Sequence, residues 1–175
     1  MTGKCQNLKF GFTAAATSAD TECSSDGERY AQMLTDCKLG FELGYDCAWV
    51  LEHHFTDYFP TPSPIVVMSH LAAAFPGLSL GSCVLVLPWY NPLRLAEEIS
   101  MLSHFCKGDL HLAFGRGTAK IEYDAYDIDM SSAKERFKEA IKIINQALLG
   151  EPFEFKGDFY EVGRKVAIRP TPNRE

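Results

Sequence analysis

One pattern governs what this sequence can fold into. Continuous apolar runs alternate with segments whose apolar residues recur at helical spacing, and the pair occurs four times. The runs cover residues 8–12 (LKFGF), 45–51 (YDCAWVL), 78–87 (LSLGSCVLVL) and 110–115 (LHLAFG). Between them lie helix-like segments. Residues 27–43 carry Tyr30, Met33, Leu34, Cys37 and Phe41 on one face, with Gly40 and Gly44 at the end. Residues 65–75 form a second helix, stopped by Pro76-Gly77, and Pro92 opens a third that runs to Phe105. Ser131 or Ser132 caps a fourth, ending near Leu149, with Phe137, Ala140, Ile141, Ile144 and Leu148 together. Apolar strands alternating with amphipathic helices predict an α/β fold: a parallel sheet covered by helices.

The tail departs from this pattern. Residues 153–162 (FEFKGDFYEV) alternate around Lys156-Gly157-Asp158 and predict a hairpin. Residues 166–169 predict a further short strand, followed by the extended Pro170-Thr171-Pro172. Four βα units fit either an open doubly wound sheet or half of a barrel. The chain's 175 residues fall short of the roughly 200–250 that a complete (β/α)8 barrel needs. Either way, chemistry belongs at the C-terminal ends of the strands. Thr13, Glu52-His53-His54-Phe55, Trp89-Tyr90-Asn91 and Arg116-Gly117-Thr118 stand there.

Charge and composition remove several function classes. Lys+Arg 17 against Asp+Glu 23 gives a formal charge of −6 and a pI near 5.4. No Lys/Arg run occurs, so no nucleic-acid partner is expected. No apolar stretch approaches the roughly 20 residues of a membrane helix, and residues 1–12 lack a secretory signal. A cytoplasmic location follows as the expectation. The six cysteines include no CxxC, and Cys47 and Cys83 sit in apolar runs, which predicts buried free thiols.

Several short motifs carry chemistry. Side chains alternate along a strand, so His53 and His54 point apart. One faces the rim, where a histidine suits proton transfer near neutral pH. A structural histidine pair fits the same residues, and so does a metal site built on Glu52, His53 and His54. Adjacent histidines are poor zinc geometry, however, so no metal is expected. Gly115-Arg116-Gly117 follows a strand directly and offers a bidentate contact to an anion; an ordinary turn with a solvated Arg116 fits equally. Arg94 with Glu97 and Glu98, and the run through Glu135, Arg136, Lys138 and Glu139, predict solvated helix faces.

Taken together and in order, these segments resemble one family. LEHHFTDYFPTPSP at residues 51–64, LGSCVLVLPWYNPLRLAEEISMLS at 80–103, FGRG at 114–117 and YDIDMSSAKERFKEA at 126–140 are similar to the bacterial-luciferase-like flavin-dependent monooxygenases. The resemblance implies a (β/α)8 TIM-barrel fold, here about four βα units plus a C-terminal hairpin. Residues 1–175 then form a single domain, the N-terminal half of such a barrel. It implies reduced FMN as cofactor, with the deazaflavin F420 as the alternative, and O2 with an aldehyde, alkane or similar small organic molecule as substrates. His53 matches the catalytic histidine beside the flavin. Arg116 matches an arginine on the flavin phosphate, and Lys134 stands where some members place a phosphate-binding arginine. Cys83-Val84 falls where the family has a non-proline cis peptide beneath the flavin ring. His54 and Glu97 match positions at a subunit interface, implying a homodimer or heterodimer.

The sequence also departs from the family pattern. Residues 103–109 replace an Asp-x-x-Ser-x-Gly-Arg segment, Ala113 and Asp127 replace glycines, and Ala133-Lys134 replaces Ser-Arg. Lysine keeps the charge but lacks the guanidinium fork. The fragment alone is expected to be inactive. The alternatives to a monooxygenase are a non-catalytic subunit pairing with a full-length partner and a small metal hydrolase.

Overall fold

The computed structural model describes residues 8–17 and 25–173. Cys5, Cys23 and most of the loop expected over residues 17–26 lie outside these. Four parallel strands form one sheet in the order β1-β2-β3-β4: Gly11–Ala14, Cys47–Val50, Ser79–Val86 and Leu110–Gly115. The alternation of strand and helix therefore produces the α/β sheet that the pattern requires. β1 begins later than residues 8–12 predict, because its pairing partners run from Gly11↔Cys47 to Ala14↔Val50.

Three of the four long helices start on a side-chain cap. α1 (Asp26–Glu42) opens on a capping box. There the Glu28 N–H donates to Ser25 Oγ at 3.3 Å and the Ser25 N–H donates to the Glu28 carboxylate at 2.7 Å. α2 (Pro64–Ala74) follows Ser63, and α3 (Pro92–Phe105) follows Asn91. Asn91 Oδ1 accepts the N–H groups of Leu93 and Arg94, both at 3.1 Å. The proline opening α2 and α3 lacks only an N–H that a first turn leaves unbonded. α4 (Lys120–Ala125) is a short helix that the apolar spacing does not announce. α5 (Ala133–Leu148) closes the fourth unit, but the cap expected from Ser131 or Ser132 is absent, because both hydroxyls donate to Asp129 instead. β5 (Phe153–Lys156) and β6 (Glu161–Val166) form the expected antiparallel hairpin. Val166 belongs to β6 and residues 167–169 are not strand, so the separate strand expected over 166–169 is absent.

The core lies between the helices and one face of the sheet. Leu80, Leu85, Met68, Leu71, Leu95 and Ile144 are fully buried there. Phe12 points to this side against Gly40, where a Cβ would sit 2.6 Å from the Phe12 ring. Glycine at position 40 therefore lets α1 approach β1. The other face of the sheet carries small residues under a single large one. The Trp49 indole lies across Gly11 and Gly81, where an added Cβ would meet it at 2.4 Å, and it stacks on His111 at 5.8 Å. Thr13, Cys83 and His111 on this face are exposed. Cys37, Cys47 and Cys106 are buried free thiols as predicted, but Cys83 is an exposed one. Strand alternation accounts for this, since Cys83 points away from the helices.

Candidate functional site

The turn that leaves β2 carries Glu52, His53 and His54 to the C-terminal end of the sheet. Alternation separates their side chains as expected. Glu52 and His54 turn inward and are buried, whereas the His53 side chain is 33 % exposed. Glu52 is fully engaged. Its Oε2 accepts the Val86 N–H at 3.0 Å and the Tyr90 hydroxyl at 2.9 Å, and its Oε1 lies 3.0 Å from His54 Nε2. Burial pushes the Glu52 carboxyl above its ordinary range, opposed by the hydrogen bonds from His54, Val86 and Tyr90. Burial likewise pushes the Tyr90 phenol up, reinforced by the Glu52 charge.

His54 is held at both ring nitrogens. Nε2 faces Glu52, and Nδ1 is 2.9 Å from the Tyr126 hydroxyl. A carboxylate only accepts, so Nε2 carries the proton and Tyr126 donates to Nδ1. Both ring nitrogens of His54 therefore have partners inside the chain. This geometry removes the support for a metal hydrolase, because His54 has no lone pair left and Glu52 is committed to three donors. Among the described residues, no group of three His, Cys, Asp or Glu side chains is arranged to hold a metal ion.

His53 is the exposed member of the turn. Its ring stacks on Phe59 at 5.7 Å and 19°, with Tyr58 at 5.6 Å. Its Nδ1 is 3.6 Å from Oε1 of Glu122, a buried carboxylate on α4. Sequence reasoning placed Tyr90 at a strand end but not as a partner of Glu52, and it missed Glu122 and Tyr126, which join the turn from distant elements.

Arg116 and Lys134 come together at a cavity whose lining does not include the histidine turn. Arg116 follows β4 and Lys134 begins α5. Both line a cavity of about 500 Å³ with Phe114, Gly115, Phe137 and Lys138. Lys138 is tied to Glu135 at 2.8 Å, whereas no carboxylate pairs with Arg116 or Lys134 among the described residues. Tyr123 donates its hydroxyl to the Arg116 carbonyl and so anchors the loop. The Cys83-Val84 peptide bond is cis and non-proline, as the resemblance implies. Val84 is the neighbour of the cavity wall: a Cβ on Gly115 would fall 2.4 Å from Val84 Cγ2. Val84 thus packs against Gly115, a residue of the lining, and Cys83 lies on the exposed sheet face.

Glu97 stands elsewhere, exposed on α3, where it lines a pocket of about 390 Å³ with Arg94, Met101 and Arg169. Arg94 pairs with Glu98 at 3.0 Å, as predicted for a solvated face. Glu139 is not simply solvated: its carboxylate accepts the N–H groups of Asp158, Phe159 and Tyr160. No helix among the described residues is long and apolar enough to cross a membrane.

Three comparisons with known proteins match the sequence and the fold. The sequence model of the family described as luciferase-like monooxygenase matches residues 9–175. Among characterised relatives, the alkanal monooxygenase alpha chain of Photorhabdus luminescens is 28% identical over 77% of this chain and 37% of its own length. The oxygenase component of the flavin-dependent trigonelline monooxygenase of Acinetobacter baylyi is 28% identical over 82% of this chain and 40% of its own. Among solved structures, a monooxygenase from Streptomyces bottropensis superposes with a TM-score of 0.86 at 25% identity, over 94% of this chain and 50% of that one. The chain spans about half or less of the length of these relatives. Its fold is of the (β/α)8 type, represented here by four βα units.

Proposed function

The chain belongs to the luciferase-like monooxygenase family, and from that membership we propose that the protein it represents is a flavin-dependent monooxygenase. It uses reduced FMN and O2 to oxygenate a small organic substrate such as an aldehyde or alkane. The observation that carries this reading is the cavity in which Arg116 and Lys134, both without carboxylate partners among the described residues, meet Phe114 and Phe137. Such a donor set fits a ligand with a phosphate and a flat aromatic ring. Reduced FMN, when bound, supplies the electrons with which O2 delivers one oxygen atom to the substrate.

The chain's own residues have separable tasks. Arg116 provides a fork for the phosphate, and Lys134 adds a point charge that keeps the site cationic without the fork. Phe114 and Phe137 exclude water from the ring side of the cavity. Cys83 and Val84 border the region where the ring lies. His53, the partly exposed member of the turn, holds or moves a proton at its exposed nitrogen. Residues 1–175 act as one unit, the first half of the barrel, and α3 with the exposed Glu97 meets a second subunit.

Titration of reduced FMN under anaerobic conditions tests this reading. It compares the 175-residue chain with a longer polypeptide carrying four further βα units, with F420 as the competing cofactor. Arg116→Ala should weaken FMN binding by about tenfold or more, the loss expected for a charge-assisted hydrogen bond. Absence of binding in both polypeptides overturns the assignment.

A further inference from the structure

We propose that Glu122 is a positioning residue that decides which nitrogen of His53 is free. The inference rests on the reading of His53 as the proton-handling group at the cofactor. Glu122 is far from His53 in the chain, yet α4 places its carboxylate, only 3 % exposed, against the turn after β2. Its Oε1 accepts the His54 backbone N–H at 3.1 Å and stands 3.6 Å from His53 Nδ1. The first contact fixes the carboxylate beside the turn. The second is longer than a hydrogen bond but short enough for the carboxylate to select the tautomer whose proton faces it. Catalytic hydrogen bonds are commonly this loose before a ligand closes the site.

The rest of the surroundings hold the ring in that orientation. The His53 backbone N–H donates to the Thr61 carbonyl at 3.1 Å. One face of the imidazole lies on Phe59, with Tyr58 alongside. A carboxylate accepts only, so it favours a proton on Nδ1 and leaves Nε2 as the lone pair available to a ligand. A free neutral imidazole prefers the opposite tautomer, with the proton on Nε2. Glu122 therefore inverts the intrinsic preference and presents an acceptor on the exposed histidine of the turn. His54, one residue along, shows the complementary state: Glu52 holds its proton on Nε2 and Tyr126 donates to Nδ1. Two buried carboxylates thus set the adjacent histidines in opposite tautomers.

The experiment reads the tautomer directly. Long-range proton–nitrogen correlation spectra of the labelled 175-residue chain are recorded across a pH series up to about pH 9, and the ratio is read from the neutral-ring signals. The His53 signals are assigned by their loss in His53→Asn. The wild-type ring should show the proton on Nδ1. Glu122→Gln keeps an oxygen for the His54 N–H but removes the charge, and should move the tautomer ratio toward Nε2 by about tenfold. A wild-type ring protonated mainly on Nε2 overturns the proposal, and that measurement stands even if the variant fails to fold. A folded Glu122→Gln chain with an unchanged ratio also overturns it, because Glu122 would then act only as an acceptor for the backbone. FMN titration of the longer polypeptide separates the two readings: loss of flavin binding with the tautomer intact defeats the functional assignment alone.

Discussion

At the scale of single residues, the site is organised by carboxylates placed where carboxylates are costly. Glu52 is the clearest case. Burial holds its carboxyl above the ordinary value of 4.5, against three hydrogen bonds that favour the charge. Its pH linkage follows from that direction. A folded-state value above the unfolded one means the native chain binds more protons in the interval between them. The contribution of Glu52 to stability is therefore full below about pH 4.5 and declines as pH rises through the folded value. Glu52→Gln removes the titration while keeping one acceptor oxygen. Urea unfolding from about pH 4 to pH 8 should show the variant gaining on the wild type as pH rises. A difference that stays flat, or moves the other way, defeats this account. His53 and Arg116 drew notice in the sequence because each lies in a short motif at a strand end, whereas Lys134 was singled out by the family resemblance alone. Glu122 and Tyr126 were not legible, and Tyr90 was legible as a strand-end residue but not as a partner of Glu52. Nothing in their local spacing shows that tertiary packing carries them to the histidine turn from 36 or more residues away.

At the scale of elements, the sequence reports existence and type better than edges. The four strands and the four long helices follow from periodicity, since an apolar run and a 3.6-residue recurrence each have one way to face a core. β1 slipped because the apolar run over residues 8–12 does not reveal that strand pairing starts at Gly11. Glu139 shows how an exposed-looking charge can tie elements together. It sits on α5 in a run that reads as a solvated face, yet it gathers three consecutive N–H groups from the β5–β6 turn. Arg136 on the same helix lies over the Phe159 ring at 4.7 Å. Burial raises the Glu139 carboxyl, but the three backbone donors outweigh it and hold the group below its ordinary 4.5. A depressed value gives stability that is present above about pH 4.5 and lost as pH falls through the folded value. Glu139→Ala should cost about 2 kcal/mol at neutral pH, the range for hydrogen bonds to a charged group. The gap to wild type should close on acidification, with amide exchange in the hairpin rising first. A pH-independent cost would mean that Glu139 acts through packing instead.

At the scale of the whole molecule, the sheet has two different faces and two open edges. Helices cover one face. The other holds Thr13, Cys83 and His111 in the open, and Trp49 is its one large side chain, laid over Gly11 and Gly81. In the (β/α)8 type, side chains of the remaining strands fill the space above such a face. The glycines under Trp49 fit that role: they let the indole lie flat against the sheet, where opposing side chains can pack on it. β1 and β4 likewise present strand edges with no partner among the described residues, the feature that closure of a barrel removes. The chain's two tryptophans make this testable, because Trp89 is enclosed by Tyr123 and Tyr126 at the other end of the strands. In Trp89→Phe the emission comes from Trp49 alone. Acrylamide should quench it readily in the 175-residue chain, and several-fold less in a longer polypeptide carrying four further βα units. Equal quenching in both would mean that the added units leave the Trp49 face uncovered. Flavin binding that appeared only in the longer polypeptide, together with Trp49 protection, would tie completion of the cavity at Arg116 to closure of this same sheet.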